Sequence, residues 1–489
     1  MDSYKTYLDK TKEFGFVTKM QHPIVTVEGL PTVAPHELVI FETGQMGEIF
    51  TISPESVEIL LFSKDSILTG TKVTRTNTLL SIPVGEELLG TIIDPLGNPI
   101  SGTVKKTASS REIEQDPLSI AARSRIKTSL RTGVSVVDML IPIGKGQREL
   151  VIGDRKTGKS SFLLSAVKNQ VQQGTIAIYV AIGKKKNEIK DLEEFFKKEG
   201  LLGKIIIVAT SSFDSPGLIY LTPYAAMTIA EHFRDKGKDT LVILDDLSTH
   251  AKFYREISLL ARNFPGRDSY PGDIFHTHAK LLERAGNFSS KSGDVSITCL
   301  PVVETIEGDL TGYIATNIMS MTDGHIFFDS NVSAQGRRPA VNISLSVTRV
   351  GRQIQTGPEK DINREVLSLI NLYDKMQNLS HFGTELTDRI KSIFQKGEKV
   401  YAFFDQPYDM TLPTDVQLVL FCLVWQELLD KTSFEDARKN LLSAAQTESV
   451  KDFLSNVLNA DSFAAVLERV SKNKDQLLAL CQTNKSQQN

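Results

Sequence analysis

Between Gly15 and about Ser81 the apolar residues come in short runs: FVTKM, IVTVEGL, HELVIF, EIFTI, SVEILLF and TKVTRT. Gly, Pro and Asn break the chain between them every eight to twelve residues or so. Six short strands at that spacing predict a small closed barrel, and closure removes the edges that so small a sheet would expose. A turn-rich connector follows, VGEELLGTIIDPLGNPISG, broken at Asp94-Pro95 and Gly97-Asn98, and then a polar stretch, KKTASSREIEQDPLS. From about Arg123 to Gly351 strand-length runs alternate with helical ones. ELVIGD, IAIYVAI, IIIVAT, TLVILDD and SITCLPVV are almost wholly apolar, as strands are when a parallel sheet is covered on both faces by helices. After Asp361 the period changes. VLSLINLYDKM, RIKSIFQ, VQLVLFCLVW and FAAVLERV carry apolar residues at three- and four-residue steps and predict helices. The tail NKSQQN reads as a frayed end.

Composition narrows the function classes. A length of 489 residues suggests about three domains. The formal charge is -3, from 56 basic and 59 acidic residues, so no basic excess argues for nucleic acid. Cys299, Cys422 and Cys481 have no metal-like spacing and suit a reducing cytosol. The start, MDSYKTYLDKTKEFG, is charged and lacks the apolar core of a secretion signal. The segment nearest to a membrane span is VQLVLFCLVWQELL (416–429), but Gln417, Gln426 and Glu427 mark it as a buried bundle helix. A soluble, cytoplasmic chain is expected.

The chemistry begins at Gly153. Gly153, Asp154, Arg155, Lys156, Thr157, Gly158, Lys159 and Ser160 fit G-x-x-x-x-G-K-[ST] in full, with a strand (RELVIGD) before and a helix (SSFLLSAVKNQV, from Ser160 and Ser161) after. The glycines let backbone N–H groups converge on phosphate oxygens, and the helix N-terminus adds its positive end. Lys159 would neutralise terminal phosphates and the Ser160 hydroxyl would take one Mg²⁺ position. LVILDD ends a buried strand at Asp245, whose carboxylate would hold Mg²⁺ through water; Asp246 could serve equally, or the pair could simply be solvated.

Hydrolysis also needs a group to orient water. In many sheet ATPases it is a Glu just after the strand beside the phosphate loop. That strand is expected to be IAIYVAI, and it runs into Gly183, Lys184, Lys185, Lys186, Asn187 and Glu188. Lys184 stands in the expected place and cannot take a proton from water unless its pKa falls far. Glu188, one turn later, could fold back; the three lysines could equally be a solvated helix start. Without an aromatic platform they make a weak nucleic-acid patch. The β-rich run PAVNISLSVTRVG (339–351) ends at Arg349, which can steady a neighbour's transition-state charge in trans. On spacing alone an interface salt bridge is the simpler role for it.

These residues carry a resemblance. TGVSVVDMLIPIGKGQRELVIGDRKTGKSS (132–161), IPVGEELLGTIIDPLGNPI (82–100), YREISLLARNFPGRDSYPGDIFHTHAKLLERAG (254–286), RRPAVNISLSVTRVG (337–351) and LSHFGTELTD (379–388) are similar to the alpha subunit of F-type ATP synthases. The resemblance implies a multidomain α/β fold: an N-terminal β-barrel (1–81), a central P-loop, RecA-like nucleotide-binding domain with its connector (82–358), and a C-terminal helical bundle (359–489). It implies a ring alternating with beta-type catalytic subunits around a gamma-type shaft, with a peripheral stalk and membrane sector as further partners at the inner face of the cell membrane. It also implies bound ATP and Mg²⁺ in a non-catalytic site, with Lys159, Ser160 and Asp245 at the phosphates and metal, Arg338 and Pro339 by the adenine, and Arg349 as the arginine given to beta. Gln406 is a looser match, because FFDQPYD departs from the family's local sequence. Lys156 replaces a usual Gln, and the arm before Gly15, which in the family helps dock the stalk, is short. Two other readings stand beside this one: a self-sufficient P-loop ATPase of a transport or secretion hexamer, and a structural ring member whose nucleotide only stabilises the fold.

Overall fold

The computed structural model describes residues 4–102, 109–290, 293–380, 388–408, 410–429 and 434–482, without the side chains of 377–380 and 388–389. Most of the 379–388 patch, part of the polar stretch after the connector and the tail at 484–489 therefore lie outside the described residues.

The six runs at the N-terminus form the closed barrel expected of them. Its strands neighbour one another in the order Phe14–Gln21, Ile24–Glu28, Val57–Leu61, Met46–Ile52, Glu37–Phe41 and Lys72–Leu79, and the last returns to the first. Val25, Val27, Val39, Ile49, Ile59 and Val73 fill its interior. Alternation turns Ile24 and Leu60 outward, where they pack on Ile257 and Ala261 of the central domain.

The central sheet runs Val347–Thr348, Gly324–Phe328, Leu150–Gly153, Gly293–Glu304, Thr240–Asp245, Ile176–Lys184, Ile205–Ser211, Ile92–Ile93 and Pro99–Ser101, with Gly286–Ser290 paired beside Gly293–Glu304. From Gly324–Phe328 to Ile92–Ile93 neighbours are parallel, and the two outer strands are antiparallel. Its two faces belong to different cores. Tyr179, Ala181 and Ile243 face one way with Phe162 and Leu163 of the helix after the phosphate loop. Ile178, Val180 and Leu244 face the other, against Ala226, Ile229 and Phe233 of the Pro216–Asp235 helix.

Two expectations are corrected. The Ile176–Lys184 strand does not lie beside the phosphate-loop strand; Gly293–Glu304 and Thr240–Asp245 come between them. Apolar runs buried on both faces carry no mark of their order in the sheet, which non-local pairing decides. The 339–351 run is also mostly not a strand. Asn342 closes a turn by accepting from the Leu345 N–H, and Ser346 donates back to the Asn342 carbonyl, so apart from a single bridge of Val341 to Phe328 the run forms a strand just at Val347–Thr348.

The C-terminal helices pack around Thr414–Trp425, whose Val416, Val419, Leu420, Phe421, Cys422 and Leu423 are all buried, as its unbroken apolar run requires. Asp138 ties this bundle to the sheet domain. Its buried carboxylate accepts from Thr132 N and Oγ1 (both 2.7 Å), Gly133 N (2.9 Å) and Gln417 Nε2 (3.0 Å). Among the described residues no helix is long and apolar enough to cross a membrane.

Two histidines are locked inside the central domain. His250 Nε2 meets the Tyr220 carbonyl at 3.1 Å and must carry the proton, so its Nδ1 accepts from His278 Nε2 at 3.1 Å. Burial pushes the His250 pKa from 6.5 down to about 4. The unfolded chain therefore binds more protons between those values, so stability is full above about pH 6.5 and is lost as pH falls toward 4. Thermal unfolding is expected to show a loss of ~2 kcal/mol from His250 alone between pH 7 and pH 5, and His250→Gln is expected to remove that part of the dependence.

Candidate nucleotide site

The loop after Leu150–Gly153 is held from several sides. Gly153 has φ 153°, and a Cβ there would stand 2.1 Å from the Phe328 carbonyl oxygen, so the neighbouring strand admits only glycine. Asp154 accepts from Thr305 Oγ1 (2.6 Å), Gly308 N (2.9 Å) and Ser330 Oγ (3.1 Å). Burial works to raise its pKa, but these bonds prevail and hold it below the ordinary value. Thr157 Oγ1 donates to the Asp154 carbonyl at 2.7 Å, and Arg155 donates to Glu304 at 2.9 Å. Lys156 sits exposed at the crest with φ 63°. Lys159 is buried, and its ammonium donates to the Gly153 (2.8 Å) and Asp154 (2.5 Å) carbonyls. Burial lowers its pKa against the pull of Glu304, Asp245, Asp246 and Asp154. Ser160 is exposed at the start of the Lys159–Gln172 helix.

Two cavities meet at this loop. One, of about 380 Å³, is lined by Arg155, Lys156, Lys159, Ser160, Lys184, Glu188, Asp245 and Glu304. The other, of about 270 Å³, is lined by Ser161, Phe162, Arg337, Arg338, Pro339, Gln406 and Tyr408. Lys156, Gly158 and Ser161 line both. A polar chamber rich in cations joined to a more apolar one has the shape of a site for a phosphorylated nucleoside.

Within the phosphate chamber Lys184 is the pivotal group. The pairing with Ile205–Ser211 slips by one residue between Ala181 and Lys184, and Gly183, at φ 59°, makes the bulge. Strict alternation would put Lys184 on the face of Val180 and Ile182; the extra residue returns it to the face of Tyr179 and Asp245. There Nζ meets Asp245 Oδ1 at 2.7 Å and Asp246 Oδ2 at 3.1 Å. Burial opposes the charge on Lys184, but the two carboxylates outweigh it and its pKa is raised. Tyr179 OH donates to the other Asp245 oxygen at 2.8 Å. Asp246 Oδ1 caps the next helix by accepting from Thr249 N at 2.6 Å. Asp245, expected to hold Mg²⁺ through water, thus has an ammonium on one oxygen and a phenol on the other. The residues as arranged do not fit a metal there.

In the second chamber Gln406 differs from its expected role. Its Oε1 accepts from Ser135 N and Oγ (both 3.0 Å), and its Nε2 donates to the carbonyls of Gly133 (2.8 Å) and Met410 (2.6 Å). The amide is spent on the protein and has nothing left for a base. Arg338 is exposed at the rim beside Pro339, and Arg337 lies over the Tyr401 ring, 3.6 Å from its centroid. Tyr408, 68% exposed at the mouth, is the aromatic face free to stack on a base; its position two residues past Gln406 was the available signal. Glu304 and Tyr179 were also missed, because a strand end and a buried tyrosine carry no motif.

Arg349 lies elsewhere. Thr348 pairs with Gly324, while the phosphate loop leaves the sheet at the level of Phe328, four residues further along that strand. At ~3.3 Å per residue, Arg349 stands roughly 13 Å away along the strand direction, at the other end of the sheet. It is exposed, and among the described residues its guanidinium makes no hydrogen bond or ion pair. Its charge acts on the buried Glu149, whose pKa burial and Asp323 push well up against that influence.

The comparisons agree with this geometry. The profile of the ATP synthase alpha/beta family nucleotide-binding domain matches residues 133–348. ATP synthase subunit alpha of Neorickettsia sennetsu is 38% identical over 447 residues, covering 89% of this chain and 88% of that one. The subunits alpha of Clostridium acetobutylicum (38% over 433 residues, 88% and 86% covered) and Staphylococcus aureus (35% over 460 residues, 92% and 91% covered) are similar. The chain belongs to the ATP synthase alpha-subunit family. Membership accounts for the nucleotide-binding domain and for the barrel and helices that flank it. In this family member Lys159→Ala is expected to weaken nucleoside triphosphate binding by about a hundredfold, because a buried charge-assisted contact is lost. Equilibrium dialysis on the full chain, with circular dichroism to verify folding, measures it.

Proposed function

We propose that this chain is a non-catalytic, ATP-binding alpha-type subunit of a rotary ATP synthase or ATPase, and that its Arg349 completes the catalytic site of a neighbouring beta-type subunit. The observation that carries this reading is the separation of the two groups. Arg349 is too far along the sheet to serve its own phosphate loop, and its exposed guanidinium, unpaired among the described residues, suits a γ-phosphate bound by a neighbour. The chain's own chamber supports the same division of labour, since Lys184 brings an ammonium to the phosphate site and engages Asp245 and Asp246 there. ATP would lie with its phosphates over Lys159 and the loop amides and its base between Arg338, Pro339 and Tyr408. A gamma-type shaft, a peripheral stalk and a membrane sector complete the assembly, with the subunit on the cytoplasmic side as a peripheral member.

Glu188 supports a second reading. Its exposed carboxylate lines the phosphate chamber at the first turn of the Lys186–Lys198 helix, so it could orient water in a self-sufficient ATPase. Turnover separates the two. The lone chain is expected to hydrolyse ATP well below ~1 s⁻¹; faster turnover that Glu188→Gln abolishes would establish the second reading. In the assembled complex Arg349→Ala is expected to lower steady hydrolysis by about a thousandfold or more while the ring and its nucleotide content persist. A mutant ring with near-normal turnover overturns the arginine's assignment.

A further inference from the structure

The geometry points to Lys184 as a built-in counter-cation that takes the metal's place, so that this subunit's site accepts a nucleoside triphosphate without Mg²⁺. This inference rests on the nucleotide-binding reading above and concerns which form of the nucleotide is bound. A metal at Asp245 has to be reached through a carboxylate oxygen or a water held by one. Here Oδ1 is 2.7 Å from the Lys184 ammonium and Oδ2 accepts the Tyr179 hydroxyl at 2.8 Å. Asp246 offers no substitute, because it receives the same ammonium and a helix N-terminal amide.

A divalent ion set against Asp245 would therefore stand beside a largely buried ammonium that two carboxylates already share, two cations side by side. The arrangement is not an accident of a long, mobile side chain. The bulge at Gly183 aims Lys184 at Asp245, and the side chains of both are largely buried. The chamber also gathers ammonium groups around the phosphates. Lys156 and Lys159 make no ion pair among the described residues, and Lys184 lines the same chamber, so three ammonium groups face a triphosphate. Arg155, Lys156, Lys159 and Lys184 stand against Glu188, Asp245 and Glu304 in that lining, which leaves a net charge of about +1 facing the triphosphate. Monodentate ammonium groups place no demand on octahedral geometry, so such a site tolerates what Mg²⁺ would not.

The test is the affinity of the full chain for ATP with excess EDTA and with excess Mg²⁺. The two dissociation constants are expected to agree within about threefold, whereas Lys184→Gln, which frees Asp245, is expected to bind at least about tenfold more tightly with Mg²⁺ than without. A wild-type affinity that rises more than about tenfold with Mg²⁺, or a variant whose response equals the wild type's, overturns the inference. Should the variant fail to fold, a second measurement on the wild type decides. The chain loaded with ATP and Mn²⁺ and passed through a desalting column is expected to keep nucleotide with little Mn²⁺; one Mn²⁺ per nucleotide overturns it. No ATP binding under either condition would sink the nucleotide-binding reading itself, and this inference with it, whereas tight but strictly metal-dependent binding would sink only the inference.

Discussion

The contact on which this site turns is a lysine ammonium shared by two adjacent carboxylates at the C-terminal edge of a buried sheet. Lys184, Asp245 and Asp246 come from strands that neighbour each other in parallel, so their ends are presented side by side. Burial would penalise any one of these charges alone by several kcal/mol, and together they satisfy one another. Tyr179 and the amide of Thr249 take the remaining oxygens. The same contact engages both carboxylates at the strand end and sets an ammonium beside the phosphate loop.

The sheet then acts as a spacer. Its C-terminal edge carries the phosphate loop, and its opposite end carries Arg349 just past the two-residue edge strand Val347–Thr348. A parallel strand is stiff along its axis, and Asp154, Gly153 and the Phe328 carbonyl lock the loop to the neighbouring strand. One chain thus carries a phosphate loop and an exposed arginine that cannot meet within it, the separation on which the proposed shared site rests.

The base-side chamber is rigid for a different reason. Asp138 and Gln406 gather amides and carbonyls from the 132–135 turn, the 406–410 loop and the Thr414–Trp425 helix, so the bundle and the sheet domain share one hydrogen-bonded knot. Gln406 therefore shapes the wall instead of reading the base. Exposed in that chamber are the ring of Tyr408 and the side chain of Arg338, beside Pro339.

Much of this was legible in the sequence. The six-strand barrel, the parallel runs, the phosphate loop and the buried helix at 416–425 follow from period, turn residues and a complete motif, all of which are local. Lys184 in place of a carboxylate could also be read directly. Strand order could not be read, because strands buried on both faces are alike; nor could the extent of the 339–351 run, where Asn342 and Ser346 close a turn against its β-propensity. Tertiary structure alone decided that the Gly183 bulge turns Lys184 onto Asp245, that Gln406 spends its amide on the wall, and that Arg349 lies at the far end of the sheet from the loop. Each depends on which distant segment supplies a partner, and a linear pattern records a residue's own tendencies but not the neighbour that satisfies it.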